Sequence, residues 1–215
     1  MKNIKLKICG MKYEDNMKAV SQLQPEYLGF IFYKKSSRFF DTVIPEIPKG
    51  IKKTGVFVNA TVEYIFKKIR LHDLQAVQLH GNESVQFCQE LQQRISTPLN
   101  PRIEVIKVFS IKDEFDFSTL KPYESCVDYF LFDTKGKLPG GNGVTFDWTV
   151  LENYPSTKPF FLSGGIGLET ISKLEAFLKS KASTYCYALD VNSKFEIVPG
   201  LKNIEKLKGF KEIIT

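Results

Sequence analysis

Eight short apolar runs recur along the chain, separated by stretches of helical character, and this alternation restricts the fold more than any other feature. The runs are 4–9 (IKLKIC), 27–32 (YLGFIF), 54–58 (TGVFV), 76–79 (AVQL), 103–108 (IEVIKV), 128–133 (DYFLFD), 159–162 (PFFL) and 185–190 (YCYALD). The clearest helical stretches are 61–70, 83–93, 168–179 and 203–213. Strands alternating with helices build βαβ units and a parallel sheet. The 215 residues give about 27 to each of eight units, compact but sufficient for an α/β fold of the (β/α)8 TIM-barrel type. A doubly wound open sheet is the rival, but no GxGxxG turn follows the first strand. No linker, low-complexity run or composition break divides the sequence, so residues 1–215 are expected to form a single domain.

The first run, Lys5-Leu6-Lys7-Ile8, alternates cation and apolar residue and reads as a strand with one face buried and one solvated. The formal charge of +6 is spread as lysine pairs at 34–35, 52–53 and 67–68, with no long basic run. Solvated faces account for most of it, and no nucleic-acid partner is expected. Apolar runs such as 28–33 and 129–132 are too short to cross a bilayer. Lys2, Lys5 and Lys7 interrupt any signal-peptide core, so a cytoplasmic location is expected. Cys9, Cys88, Cys126 and Cys186 lie far apart with neither zinc spacing nor the context of a disulfide framework.

In a parallel barrel, function gathers at the C-terminal ends of the strands. The unusual residues fall there: Cys9 and Gly10 after the first run, Arg38 after the second, Asn59 after the third and His80 after the fourth. Asp133 ends the sixth run, Gly164 and Gly165 follow the seventh, and Asp190 and Ser193 stand at the end of the eighth. Taken singly, Cys9 is a small buried hydrophobe or a reagent, Arg38 a surface cation, His80 a loop-edge histidine and Asp133 a helix cap. Convergence at one barrel mouth is what separates the functional reading from these. Gly164 and Gly165 permit close backbone approach, and the helix expected from Leu168 presents free N–H groups, a combination suited to phosphate. Gly136, Gly140, Gly141 and Gly143 make the 134–148 connection a candidate lid beside Asp133.

The segments KICGMK, LGFIFYKKSSRF, GVFVN, VQLHGNE, LFDTKG with GGNGVTFDW, LSGGIG and LDVNSKFEIVPGLKN occur in order from about residue 5 to residue 203. Together they resemble the phosphoribosylanthranilate isomerase family. That resemblance implies a TIM barrel and an Amadori rearrangement of N-(5-phosphoribosyl)anthranilate, a phosphorylated small molecule, without metal or organic cofactor. It implies Cys9 as general base, Asp133 as general acid, and Arg38 facing the anthranilate carboxylate. His80, Asp190, Gly164, Gly165 and Ser193 are expected to contact substrate. For this role the thiol needs nearby positive charge, and Asp133 must carry its proton when it acts. The sequence departs from the family at Ser163, where a small residue such as alanine is usual, and at Asn192-Ser193-Lys194, where Ser-Ser-Gly is common. Other phosphate-binding barrels, such as indole-glycerol-phosphate synthase or a sugar-phosphate epimerase, are the alternatives. The synthase would carry a lysine where Cys9 stands. A barrel that has lost catalysis and binds a phosphorylated ligand is the other. A related aminoaldose isomerisation in the histidine pathway is expected to use an aspartate ending strand 1, so Cys9 favours the anthranilate substrate alone.

Overall fold

The computed structural model of the protein describes residues 4–96, 102–112, 114–134 and 145–214. Eight parallel strands close into a barrel in chain order: β1 (Lys5–Ile8), β2 (Tyr27–Ile31), β3 (Lys52–Phe57), β4 (Ala76–Leu79), β5 (Glu104–Ile111), β6 (Tyr129–Thr134), β7 (Phe160–Leu162) and β8 (Cys186–Val191). Each matches one of the eight apolar runs to within a few residues. Register closes the ring where Lys7 pairs with Asp190 across β1 and β8. Among the described residues no helix is long and apolar enough to cross a membrane. Gly136, Gly140, Gly141 and Gly143, read as part of a lid, lie outside the described residues.

The helical layer is less regular than the alternation suggests. Helices α1 (Glu14–Ser21), α2 (Val62–His72), α3 (Val85–Ile95), α4 (Ile171–Lys179) and α5 (Ile204–Ile214) follow β1, β3, β4, β7 and β8. Side-chain oxygens start two of them: Thr61 accepts from Tyr64 N at 3.2 Å and Ser84 from Phe87 N at 3.2 Å. The stretch expected as one helix over 168–179 divides into a 3-10 turn, Leu168–Thr170, and α4. Thr170 causes the break, exchanging hydrogen bonds with Gly167 N and O at 3.0 and 2.9 Å. Among the described residues only 3-10 helices follow β5 and β6, Phe117–Tyr123 and Trp148–Asn153, and after β2 no helix forms at all. Pro45 and Pro48 disfavour one there. Phe40, fully buried, covers that flank instead, its ring 5.2 Å from Phe30 and 6.0 Å from Phe32.

The barrel interior corrects the expectation for the first strand. Lys7 is fully buried rather than solvated, because the polar-looking face of β1 is the barrel's inner wall. Apolar side chains including Ile106, Leu131 and Phe161 fill the middle of the barrel. Toward the N-terminal ends of the strands a polar plug replaces them. Lys5 Nζ donates to Tyr187 Oη at 2.7 Å, Tyr27 Oη to Glu104 Oε2 at 2.9 Å, and Lys52 Nζ to Glu104 Oε1 at 2.5 Å. At the opposite end, where the strands run out, the described residues leave a cleft.

Candidate active site

At that end, one cleft is lined by all eight residues expected to act or to bind: Cys9, Arg38, His80, Asp133, Gly164, Gly165, Asp190 and Ser193. The strands bring them together although their positions span 185 residues of sequence. Cys9, Cys88, Cys126 and Cys186 are buried and form no disulfide, so Cys9 keeps its thiol.

Cys9 follows β1, its N–H donating to Val191 O at 2.9 Å. The next residue, Gly10, has φ +78°, and a side chain there would strike Asn192 Oδ1 and the Arg38 stem. Across the barrel wall, a Cβ on Gly29 of β2 would lie 2.7 Å from Cys9 Sγ, so this glycine makes the thiol's space. The sequence carries a signal for it, since glycine inside a strand marks close approach by another group. Lys7 Nζ donates to Asp190 Oδ1 at 2.8 Å and also engages the thiol.

Burial pushes the Cys9 thiol above its ordinary value; Lys7 and Lys202 pull it down without reversing the shift, and Asp190 pushes it up again. Nearby cations are present as the chemistry requires, but the resting group is the thiol. Burial likewise raises Asp190 against the attraction of Lys7, with Asp133 adding repulsion. Lys7 is itself held above its ordinary value: burial opposes its charge, and Asp190 with Cys9 outweighs that.

Asp133 is next to last in β6 on the other side of the mouth, 5% exposed, and accepts the Thr134 N–H at 2.9 Å. His80 Nε2 stands 3.4 Å from Asp133 Oδ2, and His80 Nδ1 is 3.4 Å from Gln78 Nε2. The turn carrying His80 is held by a buried knot that sequence reading missed. Glu83 accepts from Asn59 N and Gly81 N, and Lys107 Nζ reaches Glu83 Oε2 at 3.0 Å and Gly81 O at 2.8 Å. A lysine inside the apolar run at 103–108 was its one trace.

Gly164 and Gly165 take φ values of +89° and +67°, and a Cβ on Gly164 would overlap Thr134. The backbone thus turns tightly over β6 at the head of α4. Ser193 opens a 3-10 turn through Phe195. Lys194, a departure from the family pattern, pairs with Glu169 at 2.6 Å and is not a free cation. Arg38 is also engaged, its Nε and Nη2 held by Glu196. Among the described residues no group of three or more His, Cys, Asp or Glu side chains is placed to hold a metal ion.

A closed parallel barrel with a buried thiol, a carboxyl and a glycine-lined turn converging at its C-terminal mouth defines an enzyme of the (β/α)8 class. The family described as N-(5'phosphoribosyl)anthranilate (PRA) isomerase matches residues 6–212. The chain belongs to this family, the aldose–ketose isomerases of tryptophan biosynthesis. It is 41% identical over 211 residues to the N-(5'-phosphoribosyl)anthranilate isomerase of Parabacteroides distasonis, covering 95% of this chain and 90% of that one. Among solved structures, it resembles the Thermotoga maritima phosphoribosyl anthranilate isomerase with a TM-score of 0.78 and 29% identity over 98% of both chains. A further one, solved in complex with reduced 1-(o-carboxyphenylamino)-1-deoxyribulose 5-phosphate, gives 0.74 and 27%, again over 98% of both chains.

Proposed function

We propose that the chain converts N-(5-phosphoribosyl)anthranilate to 1-(2-carboxyphenylamino)-1-deoxyribulose 5-phosphate, with Asp133 as general acid and Cys9 as general base. One observation carries the pairing of the two groups: the thiol follows β1 and the carboxyl stands on β6, on different sides of one cleft, so that a sugar between them meets both. Asp133 gives its proton to the furanose ring oxygen, the C1–O bond breaks, and a Schiff-base iminium forms. Cys9 then takes the proton from C2, the electron pair moving into the iminium to give an enolamine that tautomerises to the ketone. Cys9 acts as its thiolate, so the resting thiol first releases its proton to solvent in the cleft before C2 is deprotonated. The iminium formed beside it adds a positive charge to those of Lys7 and Lys202, favouring the thiolate at the step that needs it.

The backbone of Gly164 and Gly165, with Ser193, is assigned to the substrate phosphate, in keeping with the anion-binding habit of barrel loops 7 and 8. Arg38 is assigned to the aromatic carboxylate, Asp190 to holding Lys7 beside the thiol at the substrate's edge, and His80 to the substrate flank next to Asp133.

The test separates the two proton transfers. Cys9→Ser and Asp133→Asn each keep shape, and each is expected to cut kcat by at least about 100-fold with KM nearly unchanged. Solvent exchange of the C2 proton should vanish in Cys9→Ser. Substrate supplied already ring-opened should partly rescue Asp133→Asn and leave Cys9→Ser inactive. The reverse rescue pattern would exchange the roles, and full activity in either variant would refute the mechanism.

A further inference from the structure

Arg38 reaches the cleft from the loop after β2, yet the residue that holds its head comes from the far end of the chain. A small hairpin after β8 pairs β9 (Glu196–Val198) with β10 (Leu201–Lys202). Glu196, its side chain 5% exposed, accepts from Arg38 Nε at 2.9 and 3.0 Å and from Arg38 Nη2 at 2.6 Å. The same carboxylate accepts from Lys202 Nζ at 2.8 Å and from Gly200 N at 2.9 Å. Lys202 is anchored in turn, its Nζ on Asn192 Oδ1 at 2.6 Å and its N–H on Asn16 Oδ1 at 2.8 Å.

Three consequences follow from this arrangement. The arginine is held at its head by Glu196, while its stem runs over Gly10, whose lack of a side chain leaves it room. One edge of the planar fork, Nε and Nη2, is consumed, and an incoming carboxylate is left the Nη1–Nη2 edge, which suits bidentate binding. Finally, one carboxylate between two cations leaves a single net positive charge in the group, matched to a monoanion.

We propose that Glu196 is a specificity-determining positioning residue: it presets the Arg38 guanidinium so that only one edge is offered, aimed at a carboxylate on the substrate's aromatic ring. This rests on the assignment of Arg38 to that carboxylate. A receptor group already ordered before binding does not have to be ordered by the ligand, so the effect belongs to KM and to the carboxylate alone.

The experiment compares N-(5-phosphoribosyl)anthranilate with N-(5-phosphoribosyl)aniline, which lacks the carboxylate, on the wild-type chain and on Glu196→Gln, Glu196→Asp and Arg38→Met. Glu196→Gln should raise KM for the anthranilate substrate by about tenfold and leave KM for the aniline analogue unchanged, with kcat for both within about threefold. Glu196→Asp keeps the charge but not the reach and should fall between; it carries the same comparison if Glu196→Gln does not fold. A purely structural role would shift KM for both substrates together, and that result overturns the proposal. If Arg38→Met changes the ratio of the two KM values and neither Glu196 variant does, the proposal fails while the role of Arg38 stands. If Arg38→Met leaves the ratio unchanged, both fail.

Discussion

Gly29 is excluded from carrying a side chain by the thiol opposite it. A Cβ there would stand 2.7 Å from Cys9 Sγ and 3.0 Å from Cys9 Cα, and the second contact is backbone that cannot swing away. Gly29→Ala therefore has to displace β1 or β2 at the point where the proposed base is held. Overpacking of this kind costs roughly 1–3 kcal/mol of stability. The larger effect is expected on kcat, about tenfold or more, since misplacement of a catalytic group by a fraction of an ångström is costly. Steady-state kinetics alongside urea denaturation check this; an unchanged kcat with lowered stability would show that the thiol's position is not critical. At this scale the sequence was partly legible. Cys9, Asp133 and the glycine pair stood out by type and by position at strand ends. Lys7 did not, because a lysine alternating with apolar residues looks the same whether its face meets water or the inside of a barrel. Glu196 was hidden for a different reason: its meaning lies wholly in Arg38, 158 residues earlier.

The connections between strands show where local pattern gives way to tertiary packing. The strands of a parallel barrel are covered on both faces and so read as continuous apolar runs, which is why all eight were visible. The helices were less so. Helix α1, eight residues over EDNMKAVS, is short and polar, and only Met17 and Val20 among its apolar side chains are deeply buried. The segment between β2 and β3 forms no helix, and its Phe40 packs instead on the C-terminal end of α2. There His72, 4% exposed, stacks on Phe32 at 5.0 Å with Phe40 edge-on at 5.9 Å. Burial lowers the His72 pKa from its ordinary 6.5, with Lys68 and Lys53 adding to the effect. The folded protein thus holds the ring neutral to lower pH than the unfolded chain does. Below about pH 6.5 the unfolded state binds the extra proton, so stability is complete above that pH and drains away as pH falls toward the lowered folded value. His72→Phe should flatten this loss between pH 6.5 and 5 in denaturation measurements. An identical pH slope in the variant would place the acid sensitivity elsewhere.

Over the whole molecule, the two mouths of the barrel do different work with similar residue types. The C-terminal mouth leaves a cleft and sets a thiol against a carboxyl. The N-terminal mouth is closed by Lys5, Lys52, Glu104, Tyr27, Tyr129 and Tyr187, whose polar groups satisfy one another. Tyr129 and Tyr187 stack at 4.7 Å, and Tyr27 sits edge-on to Phe161 at 5.3 Å, joining this plug to the apolar middle of the barrel. Burial, reinforced by the Tyr187 and Glu104 partners, pushes the Tyr27 phenol far above its ordinary value, so it stays a hydrogen-bond donor throughout the physiological range. Barrel architecture separates stability at the bottom face from chemistry at the top. Tyr27→Phe tests that separation directly. It keeps the ring and its packing while removing the hydroxyl that donates to Glu104 at 2.9 Å and receives Lys52 at 3.4 Å. The carboxylate left with one fewer donor should cost about 1–3 kcal/mol. For a domain of this size that lowers Tm by about 2–4 °C per kcal/mol. Because among the described residues the plug and the cleft share no hydrogen bond, kcat and KM below the transition should stay within about twofold of wild type. Calorimetry and kinetics on one preparation decide it: a fall in kcat at temperatures where the variant is fully folded would mean that the plug sets the strand positions at the opposite mouth, and that the two ends of this barrel are mechanically coupled through its apolar middle.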